Sequence, residues 1–250
     1  MSKTVQTILF SASLCLLATA VLADADLSTL QRAYQDSMVA YRQAVAQFDR
    51  DKVLYNRTPS ADNQLVVYGS ANSTFATRQQ AVVDYTRYLA GLVEHYVRDS
   101  ATVGTLTNQL NTQGQEFAGL AHSFESMAAW NKADNDFAGV YARLNETAYQ
   151  SFAQVYWHEL HDIVETFITL FQSQNQRILS EASNQVDRER KAQVLGEVER
   201  ALNQQQDELA RLQKTLPQIN SHESYLTLRN ELNLVLAQVE SNLKAYASLE

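Results

Sequence analysis

Pro59, Pro217 and seven glycines are all the backbone breakers in 250 residues. Ordinary usage is about 5% Pro and 7% Gly. With so little to interrupt the hydrogen-bonded backbone, the chain is expected to be mostly helical. Its apolar residues agree: they recur at three- and four-residue intervals and nowhere alternate long enough to build a sheet. The fold class predicted is all-α, an elongated antiparallel helical bundle, coiled-coil-like, of about five to six helices. Residues 24–250 are expected to form a single domain.

The first helix is predicted from Asp26 to Asn56, with Leu27, Leu30, Tyr34, Met38, Tyr41, Val45, Phe48 and Tyr55 along one seam. Aromatic rings stand where Leu is usual, and Lys52 occupies one seam position. The second helix is expected to start at Thr58-Pro59, with Thr58 as cap, and to reach about Asn111. Its seam includes Val82, Tyr85, Leu89, Leu92, Tyr96, Asp99, Val103, Leu106 and Leu110. Upstream, Leu65, Tyr68 and Phe75 share a stripe whose phase slips near Val82, through overwinding or a break at Gly69-Ser70. Unbroken, this helix would span roughly 75 Å. Gly114 is expected to end it, and a short helix through Phe117, Leu120, Phe124 and Met127 to follow.

The polar run Trp130–Asp136 reads as a turn, and a helix is predicted from Asp136 to Glu181. Here the repeat is eleven residues (Tyr141, Phe152, Ile163; Tyr149, Leu160, Phe171; Tyr156, Phe167, Ile178), which gives a wide apolar face and makes this the expected central helix. A fifth helix is read from Asn184 to Leu216, stopped by Pro217. A sixth carries Tyr225 to Tyr246 behind a capping box of Asn220 and Glu223.

Met1–Ala23 has the pattern of an export signal: Lys3, the uncharged run Ile8–Leu22, and Val21-Leu22-Ala23 before Asp24. Fifteen apolar residues are short for a spanning helix, so cleavage is expected rather than retention as an anchor. Cleavage removes Cys15 and Lys3, so a net charge of −8 becomes −9 and the mature chain has no disulfide and no thiolate ligand. An exported chain without disulfides suits a bacterial periplasm or exterior. The acidic balance argues against nucleic acid and anionic lipid, both of which need clustered Lys or Arg.

Candidate chemistry is sparse. His158, His161, Asp162 and Glu165 fall at i, i+3, i+4 and i+7, a set that Zn²⁺ or Cu²⁺ can use. They lie about 120–180° from the apolar stripe, so a solvated face is the expectation. No Glu stands three residues before any histidine, which excludes the di-iron carboxylate pattern. No phosphate-binding glycine loop or nucleophile elbow is present. The prediction is no enzyme and no cofactor. Asp187–Lys191 reads as a solvated helix start. Lys52, Asp99 and Asn242 stand in seam positions where polar groups can set register; the alternative is that these positions lie near helix ends and are wet. The stripe Tyr34, Tyr41, Phe48, Tyr55 is read as core, with a sugar- or peptide-binding groove as the alternative.

The signal, the Thr58-Pro59 start of a very long second helix, and the succession of long helices resemble uncharacterised exported long-helix proteins of uncultivated bacteria. That resemblance spans most of Asp24–Glu250, rests on pattern rather than motif, and implies no activity. The function expected is a non-enzymatic structural or interaction protein of the bacterial envelope with protein partners. The alternative is a periplasmic binding module for a metal cation or basic peptide, using its acidic faces or the His158–Glu165 cluster.

Overall fold

A computed structural model of the chain describes residues 25–120 and 126–249. The expected export signal lies outside the described residues, as does Phe124 of the expected short helix. Among the described residues there are six α-helices, one 3₁₀ turn and no strand, so the chain is an all-α helical bundle. The helices are α1 (Ala25–Arg57), α2 (Ala61–Tyr96), α3 (Ser100–Ala118), α4 (Met127–Ser180), α5 (Gln185–Gln213) and α6 (His222–Ala247). No helix among the described residues is long and apolar enough to cross a membrane. The chain divides into two compact units whose boundary falls inside α4, between Ser151 and Phe152.

In the N-terminal unit, α1 ends at Arg57 because Pro59 cannot continue the ladder. The next cap is Ser60, not Thr58: its side chain accepts the Asn63 N–H at 3.1 Å. α2 then runs without interruption through Gly69-Ser70, so the phase slip near Val82 breaks nothing.

The expected 50-residue second helix is not formed. The chain leaves α2 at Val97, which is extended, and re-enters a helix after Asp99. Asp99 is a cap rather than a seam residue, with its carboxylate accepting the Thr102 N–H at 2.8 Å. A short acidic side chain competes for backbone donors and so favours a helix start over a helix interior. α3 folds back along α2. A Cβ on Gly114 would lie 2.6 Å from Thr86 Oγ1, so glycine permits this close approach instead of ending the helix. Further along, the buried Gln79 side chain of α2 donates to the carbonyl of Phe117, and to that of Leu120 at 3.1 Å. It thereby ties α2 to two carbonyls at and just beyond the C-terminal end of α3.

Residues 130–136 are helical, which corrects the expected turn. α4 starts earlier, where Ser126 Oγ accepts the Ala129 N–H at 3.2 Å. The run is polar on one side only: Ala133 and Phe137 are buried, and Asp134 pairs with Arg78 at 2.8 Å.

The C-terminal unit packs residues 152–180 of α4 with α5 and α6. Leu195, Val198, Leu202, Leu209 and Leu212 of α5 are buried, as are Leu228, Leu232, Val235 and Val239 of α6. Leu160, Val164, Phe167 and Phe171 of α4 are buried too. The Trp157 indole donates to the Leu209 carbonyl at 2.9 Å, and Tyr246 meets Phe167 edge-on at 5.9 Å. Asn184 caps α5 by accepting the Asp187 N–H. α5 ends at Gln213, with Pro217 inside the 3₁₀ turn that follows. The capping box of α6 is Ser221 with Ser224, one residue on from the expected pair.

Candidate functional site

The histidine cluster sits on α4 in the C-terminal unit, and the solvated face expected for it is only partly correct. His158 is 8% exposed, with the Trp157 ring edge-on at 4.8 Å. His161 stacks on Trp157 at 4.9 Å, and its Nδ1 is 4.0 Å from Asp162. Glu165 accepts a hydrogen bond from Gln206 of α5 at 3.0 Å. The four residues therefore do not share one environment. His158 is buried because α4 is covered on more than one side over residues 151–160, none of which is exposed. Among the described residues no three His, Cys, Asp or Glu side chains are grouped to hold a metal ion.

Glu159, which the spacing argument passed over, is chemically the most perturbed carboxyl. Burial raises it from 4.5 to about 7, because desolvation penalises the charged form. It acts on Tyr156, whose phenol donates to Asn233 of α6. Burial raises Tyr156 and Tyr225, and the Arg229 guanidinium opposes both shifts. This is a polar seam between α4 and α6 inside one unit.

The remaining charged motif resolves locally. Asp187 binds Arg190 at 3.0 Å and Lys191 at 3.7 Å, and accepts the Ser183 N–H. Lys52 is exposed and reaches over Phe48, whereas Asp51 is the buried polar residue of α1 and accepts from Gln47. Asn242 is half-buried, and its side-chain N–H₂ has no protein partner among the described residues.

The aromatic stripe departs furthest from expectation. Tyr34, Tyr41, Phe48 and Tyr55 are half-buried rather than core. Two adjoining cavities lie beside them in the N-terminal unit, between α1, α2 and the first half of α4. The first, about 380 Å³, is lined by Tyr34, Met38 and Tyr41 of α1, Arg78 and Tyr85 of α2, and Phe137 and Tyr141 of α4. The second, about 250 Å³, shares Tyr41 and Arg78 and adds Phe48, Asp49, Phe75, Trp130 and Asp134. Arg78 is fixed between them: its guanidinium lies 3.6 Å from the Phe137 ring centroid while pairing with Asp134. Tyr34 leans on Tyr85 at 5.2 Å and stacks near Tyr88 at 6.2 Å. Burial raises both the Tyr34 and the Tyr88 phenols. Tyr141 is 41% exposed at the edge. The Trp130 Nε1 is buried with no hydrogen-bond partner among the described residues.

A concave, largely aromatic surface with a few fixed polar groups has the general make-up of a ligand pocket. Sequence reasoning read the α1 stripe as core, with a groove as the alternative, and missed that Trp130 and Asp134 belong to α4. The signal was there: Trp130, Phe137, Tyr141 and Leu144 follow at three-, four- and seven-residue steps, but the polar residues between them argued for a turn. No protein-family model, curated protein or solved structure matches this chain.

Proposed function

We propose that the chain is a non-enzymatic interaction protein of the bacterial envelope that holds its partner in the α1/α2/α4 groove. One observation carries this reading. The aromatic seam of α1 is left half-exposed around two adjoining cavities instead of closing into core. Large amphipathic rings in such a position supply recognition energy at low entropic cost, and exposed aromatic concavities mark binding sites. Export rests on Lys3, the uncharged run Ile8–Leu22 and Val21-Leu22-Ala23.

A photo-crosslinking amino acid placed at Met38, which lines the larger cavity, tests the reading in envelope extracts of the native host. The expected result is a discrete adduct that Tyr41→Ala diminishes. The same probe at Val186, exposed in the C-terminal unit, should give none. Equal labelling from both positions would remove the groove from the proposal. The mature N-terminus, read by mass spectrometry, should lie at or near Asp24; a chain beginning at Met1 would replace export with anchoring.

A further inference from the structure

We infer that the end of the α1–α2 hairpin docks side-on against the same hairpin of a second copy of this chain, through a stripe of Asp49, Val53 and Arg57. The first argument is apolar surface left uncovered. From 52 to 69, which is the end of α1, the turn and the start of α2, no residue is buried. Val53, Leu54, Leu65 and Val66 stand there 48–68% exposed, four of the eight large hydrophobic residues exposed among the described residues. The cavity bordered by Trp130 and Asp134 of α4 reaches no further along the hairpin than Asp49 and Ala71. A pair of helices buries only the sides turned to each other, and a second pair supplies the missing cover. The turn itself carries Asn56, Arg57, Ser60, Asp62 and Asn63. A lipid surface would have to take in Arg57 and Asp62 first, at high cost, so the apolar flanks suit another helical pair instead.

The second argument is charge, and it selects a second copy as the partner. Asp49, Val53 and Arg57 are four residues apart on a continuous helix, so they form one stripe with about 6 Å between successive positions. Laid antiparallel against itself, this stripe is self-complementary. Val53 falls on the two-fold axis opposite its own copy, and Asp49 falls opposite Arg57 at both ends, as an isologous contact requires. Both charged side chains are exposed, and neither has an ion pair among the described residues. The surroundings favour the same contact. The chain as a whole carries −8, which makes copies repel one another, but from 49 to 62 it has three acidic residues (Asp49, Asp51, Asp62) and three basic ones (Arg50, Lys52, Arg57). Copies of an acidic protein approach most easily where the local charge is zero.

Sedimentation equilibrium of the full chain and its charge variants tests this. The unaltered chain is expected to form a dimer whose share rises with concentration. Asp49→Arg alone and Arg57→Asp alone should each weaken dimerisation by about tenfold, because each loses two attractive pairs and gains two like-charge contacts. An equimolar mixture of the two variants should recover the original affinity, since both ends of the mixed dimer again join opposite signs. Association through any other part of the chain would not respond in this way. As a second measurement, Val53→Cys in a Cys15→Ser background should give a disulfide-linked dimer under mild oxidation, because the position lies on the two-fold axis. Val186→Cys in the same background, in the C-terminal unit, should not. A chain that stays monomeric at millimolar concentration, association unchanged in both charge variants, or a mixture no tighter than either variant alone overturns the inference.

Discussion

The α5–α6 seam of the C-terminal unit and the α1 face of the N-terminal unit follow the same three/four spacing, yet they pack differently. Leu195, Val198, Leu202, Leu209 and Leu212 are buried, whereas Tyr34, Met38, Tyr41, Val45 and Phe48 are half-buried. Branched aliphatic side chains interdigitate as knobs in holes and fill space at crystal-like density. Flat rings with polar tips hold neighbouring helices apart, keep the phenol at the edge and leave gaps. Periodicity thus specified which side of each helix turns inward, while side-chain shape decided whether that side closes.

This contrast can be broken most directly by truncation in each region. Phe167→Ala, in the closed seam, should cost about 3–5 kcal/mol, and Tyr41→Ala, beside a pre-existing cavity, about 1 kcal/mol, because the lost contacts there are fewer. Urea unfolding measures both; comparable losses would mean that the α1 face is core after all. Within the N-terminal unit, the tight α2–α3 contact should behave unlike the loosely packed hairpin end. Gly114→Ala places a Cβ against Thr86 and should destabilise by about 1–2 kcal/mol, with Thr86→Ala restoring much of it. Gly69→Ala meets nothing within 4 Å and should stabilise by about 0.5–1 kcal/mol. Thermal melts that give both substitutions the same sign would contradict the described contact.

A pH-dependent effect separates the polar α4–α6 seam from the aliphatic one. Glu159 holds its proton more tightly in the folded chain than a free glutamate does, since burial raises it from 4.5 to about 7. Its contribution to stability is complete below about pH 4.5 and is lost as the pH rises through about 7, where the folded state must carry a poorly solvated charge. Over that window wild type should lose about 1–2 kcal/mol more than Glu159→Gln, after discounting for the part of the carboxyl that solvent reaches. Denaturant midpoints across the same pH range check it; parallel profiles would place Glu159 in ordinary solvent. The smallest effect belongs to Arg78–Asp134. Asp134→Ala should cost under about 1 kcal/mol because both partners are partly exposed.

How much of this was legible varies from element to element. The helical class and the limits near Arg57, Ser180 and Gln213 follow from spacing, Pro59, Asn184 and Pro217, all of which act on the nearest turn of backbone. The α1 side of the groove was visible as an aromatic stripe. The same local reasoning erred in carrying the second helix through Asp99 to about Asn111, and on Trp130–Asp136, taken as a turn. It also left His158 on a solvated face.

By itself the sequence determined that the chain is all helix, which residues of each helix are apolar, and where prolines forbid continuation. Those outcomes depend on φ restriction, missing amides and periodicity, which are properties of a few neighbouring residues. Tertiary structure alone decided that the chain turns at Val97–Asp99, where neither glycine nor proline stands. There the fold-back is held by contacts distant in sequence, Gly114 on Thr86 and Gln79 on the carbonyls of Phe117 and Leu120. It also decided that Tyr41, Arg78 and Trp130 border one cavity. A polar residue at helical spacing can cap, pair or face water with nearly equal local energy, and only the surface brought against it selects among the three.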